Sequence, residues 1–252
     1  MKEIIIEKIK EIEREKDVRV IHAVESGSRA WGFASPDSDY DVRFIYVQHT
    51  AEYLKLNRRR DVIECQLDET LDINGWDLQK ALQLLYKSNP TLFEWSSSPI
   101  VYKTTPEWER IAEVFPKYFL SKPGIYHYLS MAGGNYREYL RGEFVPVKKY
   151  LYVLRPILAC KWILSFGVPP PMQFDELVKS QLELEMLPAV ERLLEIKMSS
   201  PETKMLPQMT ELNDYIERML PELEARAAQA PGGKKQGYDV LNELFISILS
   251  TG

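Results

Sequence analysis

The chain has 252 residues, 45% of them apolar, and a formal charge of −5: ample material for a packed core, and too acidic to hold nucleic acid by a general positive field. Two cysteines, Cys65 and Cys160, exclude a disulfide framework and a Cys-x-x-Cys metal pair, so reduced thiols and a cytoplasmic location are expected. His22, His49 and His127 stand far apart, in no spacing suited to zinc.

Isoleucines at 4, 5, 6, 9 and 12 form a helical stripe over residues 2–16, with Glu and Lys on the other faces. This charged start is no secretory signal. VRVIHAV (18–24) and DVRFIYV (41–47) read as β-branched strands, with a Gly-Ser turn and a short helical turn at 29–33 between them. DVIECQLD (61–68) and ETLDI (69–73) read as two further short strands, the second ending at Asn74-Gly75 and opening directly into a helix over 76–87. From Pro106 onward the pattern is helical almost without strands: 106–119, 124–141, 146–166, 172–198, 209–228 and 238–249. APGGKKQG (230–237) reads as a flexible connection. The apolar stretch 150–166 is interrupted by Arg155, Pro156 and Lys161, which excludes a membrane span there.

The expected fold class is α+β: a small mixed β-sheet domain over residues 1–104, followed by an α-helical domain over 105–252. Residues 137–161 carry six bases against two acids, whereas 172–229 carry twelve acids against six bases. A basic helix in an acidic protein is a candidate phosphate-facing surface.

Asp37, Asp39 and Asp41 crowd the mouth of the second strand. In an extended chain Asp39 and Asp41 point to one face, with Cα atoms roughly 6.5–7 Å apart. Two carboxylates aimed together repel, and a divalent cation such as Mg²⁺ or Mn²⁺ relieves that repulsion. A calcium loop starting at Asp37 fails, because its sixth place holds Val42 and its twelfth Gln48. GSRAWG also fails as a P-loop. Gly27 lets backbone approach an anion closely, and Ser28 offers a hydroxyl.

Gly27-Ser28, a ten-residue spacer and Asp39-x-Asp41 entering a strand resemble the signature of nucleotidyltransferases of the DNA polymerase β superfamily. Further, ESGSRAWGFASPDSDYDVRFIYV, then DVIE, LDINGWDL, KSNP and KKYLYVLRPILACKW resemble, in that order, the polymerase-β-like nucleotidyltransferases associated with RNA repair. The likeness covers about residues 20–170. It implies a polymerase-β-like palm followed by a helical region, Mg²⁺ or Mn²⁺ as cofactor, and a nucleoside triphosphate as substrate. Gly27 and Ser28, with Arg29 beside them, would bind the triphosphate, and Asp39 and Asp41 would hold the metals.

The superfamily's third carboxylate has two candidates, Asp72 in Leu71-Asp72-Ile73 and Glu64 in Ile63-Glu64-Cys65, with Asp72 preferred. Lys149 and Arg155 on the basic helix are candidates for triphosphate contacts. Tyr126, Tyr128, Tyr136, Tyr139, Tyr150 and Tyr152 offer stacking surfaces or core. An RNA end is the favoured acceptor, engaged along a short single-stranded or terminal stretch, ahead of a protein or small-molecule hydroxyl. A silent nucleotide-binding module is the competing reading.

Overall fold

The computed structural model describes residues 1–57, 60–66 and 70–250, arranged in two compact units. The first consists of Met1–Gly27, Asp39–Tyr118 and the chain from Lys235 onward, and the second of Ser28–Ser38 and Phe119–Lys234. Both α and β structure are present, as the α+β expectation holds.

In the first unit, helix α1 (Lys2–Lys16) precedes strand β1 (Val18–Glu25). A short helix α2 (Gly27–Trp31) starts in this unit and leaves it, and strand β2 (Tyr40–Gln48) returns. After α3 (Thr50–Tyr53) come β3 (Val62–Gln66) and β4 (Leu71–Asp77). Leu67, Asp68 and Glu69, where the two short strands were expected to meet, lie outside the described residues. Helices α4 (Leu78–Tyr86) and α5 (Pro90–Ser96) lead to β5 (Val101–Thr104). The sheet is mixed, in the order β3-β4-β2-β1-β5, with β2 and β4 parallel and the other neighbours antiparallel.

The isoleucine stripe explains α1: Ile5, Ile9 and Ile12 are buried against Val20, Ala23, Val42, Phe44 and Ile73 on one face of the sheet. Each such side chain contributes about 1.5–3 kcal/mol by leaving water. Glu13 pins the helix to the sheet, accepting from the Val20 N–H and the Lys103 ammonium, each at 2.7 Å.

β4 runs two residues past the expected Asn74-Gly75 turn. Gly75 is strand because Phe44 of β2 lies over it: a Cβ there would come within 2.2 Å of the ring. The helix therefore begins at Leu78, capped by Asp77, whose carboxylate accepts from the Gln79 N–H at 2.8 Å.

The two units do not follow the single division expected after residue 104. Helices α6 (Pro106–Ala112) and α7 (Phe115–Tyr118) pack in the first unit, because Trp108 stacks on His22 of β1 at 4.3 Å and Phe115 meets Phe93. The chain also comes back to this unit at its far end: Tyr238 stacks on Tyr86 at 3.6 Å, and Gly237 accepts from the Tyr118 hydroxyl at 3.0 Å.

The second unit is helical, built on α8 (Ser121–Tyr139) and α9 (Val147–Phe166), whose buried faces share Ile125, Tyr128, Leu129, Leu151, Leu154 and Leu158. The helix expected over 172–198 is interrupted. It divides into α10 (Phe174–Gln181), a 3₁₀ turn (Leu184–Met186) and α11 (Leu187–Ser199). Pro188 stands in the first turn of α11, where its missing N–H costs no hydrogen bond, and the Glu183 carboxylate in the gap accepts from Lys161 at 2.7 Å and Tyr215 at 2.8 Å. Two three-residue strands, β6 (Phe144–Pro146) and β7 (Met205–Pro207), pair antiparallel in the gaps between the expected helices, and α12 (Thr210–Gln229) completes the unit. The chain ends with α13 (Asp239–Ser250), in the first unit. Among the described residues no helix is long and apolar enough to cross a membrane.

Candidate functional site

The alternation of β2 sorts its side chains. Val42, Phe44 and Tyr46 join the core beneath α1, so Asp41 and Arg43 point from the opposite face. On β4, Leu71 and Ile73 face the same core, which turns Asp72 to the side of Asp41. The parallel register pairs Asp41 directly with Asp72. Their carboxylates converge on one group: Arg43 Nη2 donates to Asp41 Oδ1 and to Asp72 Oδ2, each at 2.8 Å. Nη1 of the same guanidinium donates to the Val42 carbonyl at 3.1 Å and the Asp72 carbonyl at 3.2 Å. All three side chains are partly exposed.

Gly27 stands against this pair with φ +58°, and a Cβ there would lie 2.0 Å from Asp41 Oδ2. Glycine is required twice over, by conformation and by space. Behind Asp41, the fully buried Glu25 accepts the Asp41 N–H at 2.8 Å and the Tyr102 hydroxyl, while the Ser26 N–H donates to the Asp41 carbonyl at 2.8 Å. The end of β1 thus fixes the backbone from which Asp41 projects.

The three crowded aspartates have three different positions. Asp41 faces Asp72, and Asp39 is exposed one residue before β2 begins. Asp37 belongs to the second unit, where both its oxygens accept the Glu202 N–H at 3.1 Å. Among the described residues no three His, Cys, Asp or Glu side chains gather as a metal-holding group. Glu64, the other candidate for third carboxylate, pairs in register with Asn74 on the edge strand β3 and is exposed in an ion pair with Arg60.

In the second unit the segment 28–38 is held by a buried polar cluster. Lys197, only 1% exposed, donates to Ser35 Oγ at 2.5 Å and to Glu202 Oε1 at 3.0 Å. Glu202 also accepts from Ser38 Oγ at 2.6 Å and Lys148 at 2.7 Å. Burial opposes the charge on Glu202, but the hydrogen bonds from Lys148, Ser38 and Lys197 outweigh it and bring its pKa down to about 2. Ser28 is buried, and the Arg29 guanidinium donates to the Ser38 carbonyl at 2.6 Å.

Arg155, expected at a triphosphate, is instead a core residue of the second unit. It is 2% exposed, donates from Nε and Nη2 to the Met172 carbonyl at 3.2 Å, and lies 4.7 Å from the Trp31 ring centroid. Lys149 is half-buried, with its ammonium 3.7 Å from the Tyr139 ring and 5.3 Å from the Tyr152 ring. Burial and the neighbouring Lys148 lower its pKa. The excess basic charge of 137–161 is partly spent inside the unit, on Glu202 by Lys148 and on Glu183 by Lys161. Tyr128, Tyr136 and Tyr150 are buried in its core, whereas Tyr126 is exposed.

Sequence reading missed Arg43 and Glu25. The signal for Arg43 was the same alternation that placed Asp41, since residues two apart share a strand face.

The family model for the RNA repair pathway DNA polymerase beta family, RlaP, matches residues 1–247. The chain is similar to the "Uncharacterized protein YcgL" of Bacillus subtilis (strain 168), with 43% identity over 98% of this chain and 96% of that one. Among solved structures, a nucleotidyltransferase-like protein from Exiguobacterium sibiricum 255-15 matches 89% of this chain and 75% of its own, at 17% identity and a TM-score of 0.32. On a family match that runs nearly end to end, this chain belongs to the RNA repair pathway DNA polymerase beta family.

Proposed function

We propose that the protein is a metal-dependent nucleotidyltransferase that moves a nucleoside monophosphate from a nucleoside triphosphate to an acceptor hydroxyl, releasing pyrophosphate. The observation that carries this reading is the convergence of Asp41 and Asp72, in direct register on parallel strands, against a glycine that leaves them room.

The residues present fit Mg²⁺ or Mn²⁺. Both side chains offer hard carboxylate oxygens, and they are already within 2.8 Å of a single cationic nitrogen. Asp39, Asp41 and Asp72 are the proposed ligands, with Asp72 rather than Glu64 as the third carboxylate because β4, not β3, adjoins β2. When bound, divalent ions activate the acceptor hydroxyl and neutralise charge on the departing pyrophosphate.

The chain's own part is position and charge. Glu25 and Ser26 hold the Asp41 backbone, and Gly27 keeps the approach to its carboxylate clear. Gly27, Ser28 and Arg29 are the proposed triphosphate contacts, with Lys149 as a further one. An RNA end is the favoured acceptor on the strength of the family, ahead of a protein or small-molecule hydroxyl.

The test incubates the protein with Mg²⁺ or Mn²⁺ and each labelled nucleoside triphosphate, offering RNA, DNA, protein and small-molecule pools in parallel. Label on RNA with pyrophosphate release is expected, and it should disappear in Asp41→Asn. Label confined to protein or a small molecule would redirect the acceptor, and no metal-dependent turnover on any pool would overturn the reading. A second reading, nucleotide binding without turnover, has in its favour that Arg43 occupies the point where the carboxylates converge.

A further inference from the structure

We propose that Arg43 is a stand-in cation: it holds Asp41 and Asp72 converged before a divalent ion arrives, and gives up its carboxylate contacts when the ion binds. The inference rests on the metal-dependent reading above and adds a role for a side chain that reading does not use.

The geometry is specific to a guanidinium. One nitrogen, Nη2, is shared by the two acids at 2.8 Å each, while Nη1 is anchored on the Val42 and Asp72 carbonyls at 3.1 and 3.2 Å. The planar fork thus keeps a fixed foothold on backbone through one nitrogen while the other meets the carboxylates. Asp41 and Asp72 are adjacent across a parallel pair, so without a cation between them their charges would push apart and the site would open. Arg43 removes that repulsion, and the site stays assembled.

The same contact opposes metal. A divalent ion that takes Asp41 Oδ1 and Asp72 Oδ2 displaces Nη2, which holds those two oxygens. Metal affinity is therefore set by a competition within the chain, in which the arginine loses charge-assisted hydrogen bonds and the ion gains two hard ligands. Arg43 is a positioning residue in this account: it acts on the reaction through Asp41 and Asp72.

The test compares the wild type, Arg43→Gln, Arg43→Lys and Asp41→Asn as full chains. Mn²⁺ binding is read by electron paramagnetic resonance of free Mn²⁺, and thermal unfolding is followed with and without Mn²⁺. Arg43→Gln should melt lower than the wild type in the absence of metal, bind Mn²⁺ about tenfold or more tightly, and show a larger Mn²⁺-induced rise in Tm. Arg43→Lys keeps the charge without the fork and should fall between the two, which preserves the test if Arg43→Gln does not fold. A purely structural arginine would lower Tm without raising affinity. Unchanged or weaker Mn²⁺ binding in both Arg43 variants, beside a wild type that binds Mn²⁺ and an Asp41→Asn that does not, overturns the stand-in role alone. Absence of Mn²⁺ binding in every protein overturns the metal-dependent reading as well.

Discussion

Gly27 faces Asp41 at a distance no other residue tolerates: a single added carbon would sit 2.0 Å from Oδ2 of the carboxylate. Gly27→Ala should therefore act on the acid more than on the fold. The left-handed φ of +58° costs an alanine about 1–2 kcal/mol, visible as a modest fall in Tm. Displacing the carboxylate by an ångström should lower kcat by roughly 10²-fold, measured as pyrophosphate release under saturating triphosphate.

Asp41→Asn and Asp72→Asn should each depress the chemical step by about 10²-fold or more while leaving nucleotide affinity within a few-fold. Glu64→Gln should leave kcat nearly unchanged, since Glu64 is exposed on the edge strand in a pair with Arg60. Single-turnover kinetics beside equilibrium nucleotide binding separate the two effects. A collapse in Glu64→Gln with near-normal Asp72→Asn would move the third carboxylate to β3.

Arg155 and Lys149 should part company. Arg155→Ala removes a buried guanidinium from the Met172 carbonyl and the Trp31 face, so Tm should fall by several degrees with no selective rise in the triphosphate KM. Lys149→Ala should raise that KM with a small change in Tm. Equal KM effects would return Arg155 to the ligand.

The Lys197–Glu202 contact predicts a stability change of another kind. Lys197→Met leaves Glu202 with two of its three side-chain donors, and should cost about 2–4 kcal/mol, read by chemical denaturation. Adding Glu202→Gln should recover part of that loss, because the partly buried charge is then gone.

His22 gives the pH dependence. Burial pushes its pKa down from 6.5 to about 4, against the hydrogen bond between its Nε2 and the Trp95 carbonyl. Between those values the unfolded chain takes up a proton that the folded one refuses, so its contribution is intact above pH 6.5 and is lost as pH falls toward 4. His22→Phe, which keeps a ring against Trp108, should flatten the stability profile across that window.

Much of the first unit could be read in advance because its determinants are local. The isoleucine stripe of α1 and the β-branched runs of β1 and β2 each carry their period openly. Asn74-Gly75 resembled a turn because the Phe44 ring that keeps Gly75 extended comes from another strand. The burial of Arg155 was hidden because its partners, Met172 and Trp31, are distant in sequence. The pairing of Asp41 with Asp72 was likewise hidden, since strand register is a long-range property.

The segment Ser28–Ser38 leaves the first unit and returns to it within the span of one motif. Its aromatic residues are committed to the second unit: Phe33 is fully buried there against Phe174 at 5.6 Å, and Trp31 packs on Tyr152. A fragment cut after Tyr118 would retain every proposed metal ligand, yet it would present Phe33 and Trp31 to water stripped of Phe174 and Tyr152. The first unit of this protein is consequently not a detachable cassette. Transplanting it into another chain would mean carrying along the helices that its own loop is stitched into.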